Sequence, residues 1–385
     1  MDTLSQIALG ASLAHITLGH QLGNRALLIG AALGTLPDLD VLVQYDDAIE
    51  SFTYHRSWSH SLWVLSALSC PLAVALRRFI PRPAEDGYSI EAPSLSRWWL
   101  ATWLILVTHP LLDAFTIYGT QLWWPLPLQP VWIGSVFIID PLYTLPLLIA
   151  LVFAWRNGRR LTPHGQSTAR FRGTVIPSWI ALLVSSAYLG WTLVAQQTIR
   201  QRGETVLHQS GITTNKLFIS PLPLSLLWRV VAITPDSYYE GFASLLDSDD
   251  TINFTEFDSG RADCQGWLDH WPVARLHWFT DGAWAMSQRR GPSQDNLVLT
   301  DLRMGLADDY VFEFVIAEGN SGQWQTVPSR LLPADFELRR LPDLWQRVTD
   351  QQVSLAPNIA VADAAPIHAL CNQPSEVAQL LSPDG

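Results

Sequence analysis

The chain has 385 residues, of which 48% are hydrophobic and only 15% charged, well below the roughly 25% charge of a soluble globular chain. Its net charge of -11 is unevenly placed: residues 1–199 hold eleven acids against eleven arginines, and the remainder hold 24 acids against 13 bases. A neutral apolar first half joined to an acidic second half argues against nucleic-acid binding and for a membrane-embedded region carrying a separate domain. The N-terminus lacks the basic region of a cleaved signal peptide.

Two short apolar stretches come first, at about residues 4–19 and 26–36. Gly10, Gly19, Gly30 and Gly34 are expected to allow close helix–helix approach there. Pro37 ends the second stretch, because the residue before a proline avoids the α region. Asp38 and Asp40 follow in a turn, where one reading makes them an N-cap for the next segment and another makes them ligands. Four longer apolar runs, at about 61–80, 97–118, 134–155 and 174–196, approach the 20 residues needed to span a bilayer.

Nine of the eleven arginines in residues 1–199 fall in two places, Arg77, Arg78, Arg82 and Arg97, then Arg156, Arg159, Arg160, Arg170 and Arg172. The positive-inside rule puts both in the cytoplasm, and everything after about residue 197 outside it. Trp58, Trp63, Trp98, Trp99, Trp123, Trp124, Trp132 and Trp155 near the run ends fit an aromatic belt.

The second half changes texture. Thr251–Asp258, Ala274–Thr280, Ala283–Gln288, Asn296–Met304 and Tyr310–Glu318 mix β-branched and aromatic residues with polar ones, between Gly, Asp and Pro. The expected architecture is an α-helical membrane bundle, about four spanning helices plus two short N-terminal ones, over 1–199. A β-rich extracytoplasmic domain follows over 200–345, then a loosely ordered tail over 346–385. Cys264 and Cys371 could pair on that side, and Cys70 reads as a packing residue.

The chemistry lies in the first 113 residues. His109 and Asp113 are i and i+4, so a helix puts them on one face, about 5–6 Å apart at Cβ. They can share a metal, or form a buried hydrogen bond that staples two helices. His55 and His60 are five apart, roughly 140° round a helix, so they do not share a face. The pattern predicts Ser57 or Ser59 as N-cap, His60 in the first helical turn and His55 in the loop before it. Arg56 between them could hold an anionic group; headgroup contact is the alternative. His15 lies in the first apolar stretch, and alone it reads as a satisfied core histidine. Asp140 begins a run and reads as a helix-start carboxylate. An ionisable side chain near mid-bilayer costs about 2.5–3.5 kcal/mol on insertion scales, which marks such residues as functional. Together His15, Asp38, Asp40, His55, His60, His109 and Asp113 supply nitrogen and oxygen donors without thiolate. That set suits zinc, with manganese, iron or nickel also compatible, and its size allows two or more divalent ions.

The Leu36-Pro37-Asp38-Leu39-Asp40 turn, the His55-Arg56-Ser57-Trp58-Ser59-His60-Ser61 block and Thr108-His109-Pro110-Leu111-Leu112-Asp113 recur in order, before Leu122-Trp123-Trp124-Pro125. With His15, they resemble the YdjM-like family of membrane-bound metal-dependent hydrolases, over about residues 1–155. The His-x-x-x-Asp element is also similar to the zinc-dependent phospholipase C and single-strand nuclease superfamily, whose second His-x-x-x-Glu element this chain lacks. The resemblance implies a bacterial inner-membrane hydrolase, with metal on His15, Asp38, Asp40, His60, His109 and Asp113. A metal-activated water is then expected to attack an ester, such as a phosphoester of a lipid or lipid-linked substrate. His55 or a loosely held carboxylate moves protons and Arg56 orients the anion. The rival is a non-enzymatic transporter or sensor that uses the same cluster to bind metal or protons.

Overall fold

In the computed structural model, described for residues 1–355 except 81–83, 86–87, 90–91, 159–166, 292–293, 308, 321–322 and 335–339, the chain forms two compact units. The first comprises Met1–Leu42 and Arg56–Val194; the second comprises Val43–His55 and the chain from Ala195 onward.

The first unit opens with α1 (Thr3–Leu22), capped by Asp2, whose side chain accepts the Ser5 amide. Gly23, at φ 54°, turns the chain into α2 (Asn24–Thr35), a backbone conformation glycine adopts without strain. Of the glycines expected to permit close approach, Gly10, Gly30 and Gly34 do so. A Cβ on Gly30 lies 2.3 Å from the Gly10 carbonyl oxygen and 2.5 Å from Ala14 Cβ, and one on Gly34 lies 2.6 Å from the Gln6 oxygen. Gly30→Val is therefore expected to destabilise this unit by about 1–3 kcal/mol or more, because rigid backbone must move apart. Thermal unfolding in detergent checks this, with Gly190→Ala, whose Cβ meets nothing within 4 Å, as the neutral control.

Pro37–Leu42 then forms a 3₁₀ turn carrying Asp38 and Asp40. Asp47, rather than either of these, caps the next helix, α3 (Ala48–Tyr54). A second 3₁₀ turn, Trp58–His60, leads into α4 (Leu62–Phe79). A small hairpin, β1 (Ala84–Glu85) and β2 (Tyr88–Ser89), precedes α5 (Leu95–Asp113). α5 stops short of the expected residue 118, because the Asp113 carbonyl takes both the amide and the hydroxyl of Thr116. α6 (Pro141–Gly158) starts later than 134. Asp140 caps it by accepting the Leu142 amide and also accepts the Tyr188 hydroxyl at 2.7 Å, so its helix-start reading holds. α7 (Ser167–Gln209) is 43 residues long. Among the described residues two helices, Leu62–Phe79 and the Gly173–Gln209 part of α7, are long and apolar enough to cross a membrane. In the first unit α1 packs on α2, α5 and α6, and α4 on α5. The core joins Ala8, Leu9, Leu112, Tyr143 and Leu147 in one cluster and Leu18, Leu33, Trp98 and Ile105 in another. Trp98 is thus a core residue, while Trp58, Trp63, Trp99 and Trp123 are exposed.

The second unit is β-rich. β3 (Lys216–Pro221), β4 (Leu227–Ile233), β5 (Ser237–Ser244) and β6 (Thr255–Asp258) form one antiparallel sheet in that order. β7 (Trp284–Arg289), β8 (Asp295–Asp301), β11 (Glu313–Asn320) and β12 (Gln323–Leu331) form another, ordered β12-β11-β8-β7 and also antiparallel. β9 (Gly305–Leu306) and β10 (Asp309–Tyr310) make a short hairpin between β8 and β11 in sequence. The expected strand at Ala274–Thr280 is instead α8 (Trp271–Thr280). Pro272 sits in its first turn, where proline favours helix, and Val273, Leu276 and Thr280 bury one face at helical spacing. α9 (Leu341–Thr349) falls at the start of the expected tail, whose residues 356–385 lie outside the described ones. Cys264 is buried and disulfide-bonded; Cys371, its expected partner, also lies outside the described residues.

Residues 43–55 belong to this unit, although their neighbours on both sides do not. Asp47 accepts the amide of Ser329 at 2.7 Å and its hydroxyl at 2.5 Å, and Arg275 Nε donates to Thr53 Oγ1 at 2.9 Å. The Phe52 ring packs among Phe279, Phe312 and Phe314.

Candidate metal centre

Four residues of the first unit converge. Asp38 comes from the first 3₁₀ turn, His60 from the end of the second, and His109 and Asp113 from successive turns of α5. Each offers one ligating atom, and these four atoms lie within 4.8 Å of one another. His109 Nε2 is 3.2 Å from Asp38 Oδ1, 3.2 Å from His60 Nε2 and 3.4 Å from Asp113 Oδ2. His60 Nε2 is 3.4 Å from Asp38 Oδ1 and 3.2 Å from Asp113 Oδ2. His60, His109 and Asp113 are buried, while the Asp38 side chain keeps 21% of its surface exposed. The cluster therefore opens at Asp38.

The elements explain why the atoms point inward. The i, i+4 spacing stacks His109 and Asp113 on one face of α5, with Pro110 inside the helix. His109 Nδ1 lies 2.7 Å from the Gly34 carbonyl oxygen. A carbonyl only accepts, so Nδ1 carries a proton, and in the neutral ring Nε2 presents a lone pair to the cluster. The close α1–α2 packing places that carbonyl. Asp113 Oδ1 accepts from Gln6 Nε2 at 2.9 Å and from the Met1 amino group. Its Oδ2 is buried without a hydrogen-bond partner, facing both imidazoles.

Arg56 is buried at φ 61°, with its Nε 3.5 Å from Asp113 Oδ2 and its guanidinium 4.9 Å from the centre of the Tyr118 ring. Its amide and the Ser59 hydroxyl both donate to Asp40 Oδ2, at 2.9 and 2.6 Å. Asp40, expected among the ligands, thus lies behind His60, with its Oδ2 3.7 Å from His60 Nδ1. The expected capping also shifts by a residue or more. Ser61 caps α4 by accepting the Val64 amide, and His60 ends the turn before the helix.

The other two expected site residues are placed elsewhere. His15 Nδ1 pairs with Ser178 Oγ at 2.9 Å, outside the four-residue group. His55 terminates α3, its amide bonded to the Ser51 carbonyl, and belongs to the second unit.

The donor set and spacing fit a divalent ion. A tetrahedron with bonds of about 2.0–2.1 Å has edges of about 3.3–3.4 Å, and the five distances given above are 3.2–3.4 Å. The orphaned Asp113 Oδ2 is the buried polar atom such an ion satisfies.

Residues 1–199, which include every one of these side chains, match the YdjM inner membrane protein family. The chain belongs to that family. A relative in Bacillus subtilis (strain 168), the uncharacterized protein YfhP, is 25% identical over 270 residues, covering 67% of this chain and 74% of its own. No solved structure matches. The YdjM region thus ends ten residues before α7 does, and it excludes the β sheets that follow.

Two contributors carried no signal in the sequence. The Gly34 carbonyl is a backbone atom, and Gln6 is one amide within an apolar helix. Ser59 stood inside the His-Arg block but read as a cap.

Proposed function

We propose that this YdjM-family protein is a membrane-bound metal-dependent hydrolase of the bacterial inner membrane. Its substrate is an ester, specifically a phosphoester of a lipid or lipid-linked molecule. Asp38, His60, His109 and Asp113 hold one divalent ion, and zinc suits their imidazole and carboxylate donors. The observation that carries the reading is a set of four electron-pair donors all within 4.8 Å of one another, with each imidazole nitrogen 3.2–3.4 Å from the other three. Such groups repel unless a cation or protons lie among them.

When bound, the ion supplies Lewis acidity and lowers the pKa of a coordinated water. The chain's own groups do the rest. The buried Arg56 guanidinium offsets the Asp113 charge. Asp38, the exposed carboxylate of the four, stands where a substrate enters and is the proton carrier within the cluster. Beside it Leu39, Val41 and Leu42 are 51%, 70% and 73% exposed, an apolar lip that supports a lipid substrate.

In this reading the four runs over residues 61–196 span the bilayer, with the arginine-rich segments cytoplasmic and the β-rich unit outside. The disulfide at Cys264 supports an oxidising compartment for that unit.

The test is turnover by the purified full-length protein in detergent, with phospholipids and a generic phosphodiester as probes. Metal-dependent cleavage, reduced at least about 100-fold by Asp38→Ala, supports the hydrolase. Bound metal with no cleavage of any ester probe favours the transporter or sensor reading.

A further inference from the structure

A hydroxyl has one proton to give, and this fixes more of the centre than the four ligands do. Ser59 Oγ lies 2.6 Å from Asp40 Oδ2 and 2.9 Å from His60 Nδ1. Asp40 Oδ2 also receives the Arg56 amide at 2.9 Å, so that oxygen is acting as an acceptor. Ser59 therefore donates to Asp40, and its contact with His60 is one in which it accepts. The proton of the neutral imidazole then sits on Nδ1, leaving the Nε2 lone pair facing His109, Asp38 and Asp113.

We infer that Asp40 and Ser59 are a positioning pair: through one directed chain, Asp40 to Ser59 to His60, they set the tautomer and ring orientation that make His60 a ligand. Asp40 is then an outer partner of the centre, not one of its ligands. This rests on the metal-centre reading above.

The surroundings argue for purpose. Asp40 and Ser59 are both nearly buried, with 4% exposure for the Asp40 side chain. Asp40 ties the two 3₁₀ turns together, one carrying Asp38 and the other ending in His60. Arg56 holds φ 61°, a conformation disfavoured for a residue with a side chain, and its amide is thereby bonded to the same oxygen. His109 reaches the same tautomer by a different acceptor, the Gly34 carbonyl. Two histidines with independent outer partners and lone pairs facing each other at 3.2 Å form the arrangement expected of metal-ligating imidazoles.

The test loads full-length protein in detergent with Co²⁺, reading affinity and the visible ligand-field spectrum. The parent is compared with Ser59→Ala, Ser59→Thr and Asp40→Asn, after far-UV circular dichroism confirms equal helicity. The pair predicts about a 10–100-fold loss of affinity in Ser59→Ala and Asp40→Asn. It also predicts near-parental affinity in Ser59→Thr, which keeps the hydroxyl, and a tetrahedral spectrum throughout. Parental affinity in Ser59→Ala overturns the proposal. So does a changed coordination spectrum in Asp40→Asn, which makes Asp40 itself a ligand. Absence of Co²⁺ binding by the parent instead overturns the metal-centre reading on which the pair depends.

Discussion

Asp113→Ala is expected to strip the metal from the centre and to destabilise the helical unit by about 3–5 kcal/mol, the usual cost of leaving a buried charge without its partner. Asp113 is fully buried, and Arg56 Nε, itself buried without a hydrogen-bond partner, lies 3.5 Å from its Oδ2. Removing the carboxylate leaves the buried guanidinium without its charge partner and takes an acceptor from Gln6 Nε2. Asp38→Ala is the informative contrast. Its side chain is 21% exposed and has no buried guanidinium beside it, so metal affinity falls with little change in stability. Thermal unfolding and metal content, measured on the same detergent preparations, separate the two effects. Equal stability losses in both variants would contradict the assignment of Asp113 as the charge partner of Arg56.

His109→Ala is expected to lose metal more severely than the roughly 10–100-fold typical of an outer partner, because it removes a donor outright. The imidazole touches every other member of the cluster, and its other nitrogen is already bonded to a backbone carbonyl. Metal binding requires bare nitrogen lone pairs and ionised carboxylates, so protons compete with the ion. Acidification is therefore expected to weaken binding, and loading at neutral pH to release protons. Isothermal titration in two buffers of different ionisation enthalpy counts them. Binding that strengthens on acidification would contradict an imidazole–carboxylate site.

The pair on α5 was legible from sequence because helical spacing is a local property: His109 and Asp113 could only face one way once the segment was a helix. The two turns were harder. The block holds three serines, Ser57, Ser59 and Ser61, within five residues; the pattern points to Ser57 or Ser59, and local propensity does not choose among the three. The choice came from tertiary contacts. The Leu62 amide bonds the Leu122 carbonyl and Ser61 Oγ bonds the Trp124 carbonyl, which fixes α4 to start after Ser61. Asp40 read as a ligand for the same reason: its distinction from Asp38 lies in the Arg56 amide and the Ser59 hydroxyl, contacts sixteen and nineteen residues away.

Segments mixing polar with β-branched and aromatic residues marked β6, β7, β8 and β11 of the second unit, whereas β3, β4, β5 and β12 lie outside the segments that read as strands. Ala274–Thr280 reads as a strand because short apolar runs of aromatic and β-branched residues look alike in strand and helix; Pro272 is the clue to the helix. The membership of residues 43–55 in that unit was not legible at all. It depends on Asp47 meeting Ser329 and Phe52 meeting three phenylalanines more than 200 residues away, and no local pattern encodes such a partner.

That Asp38, His60, His109 and Asp113 form one metal centre can be read from metal stoichiometry. Full-length protein is purified in detergent at neutral pH, dialysed against micromolar Zn²⁺ and analysed for bound metal beside a His60→Ala/His109→Ala double variant. About one divalent ion per chain is expected in the parent, as four converging donors imply, and none above background in the double variant. A folded parent that retains no metal, or a double variant that retains as much as the parent, would contradict this.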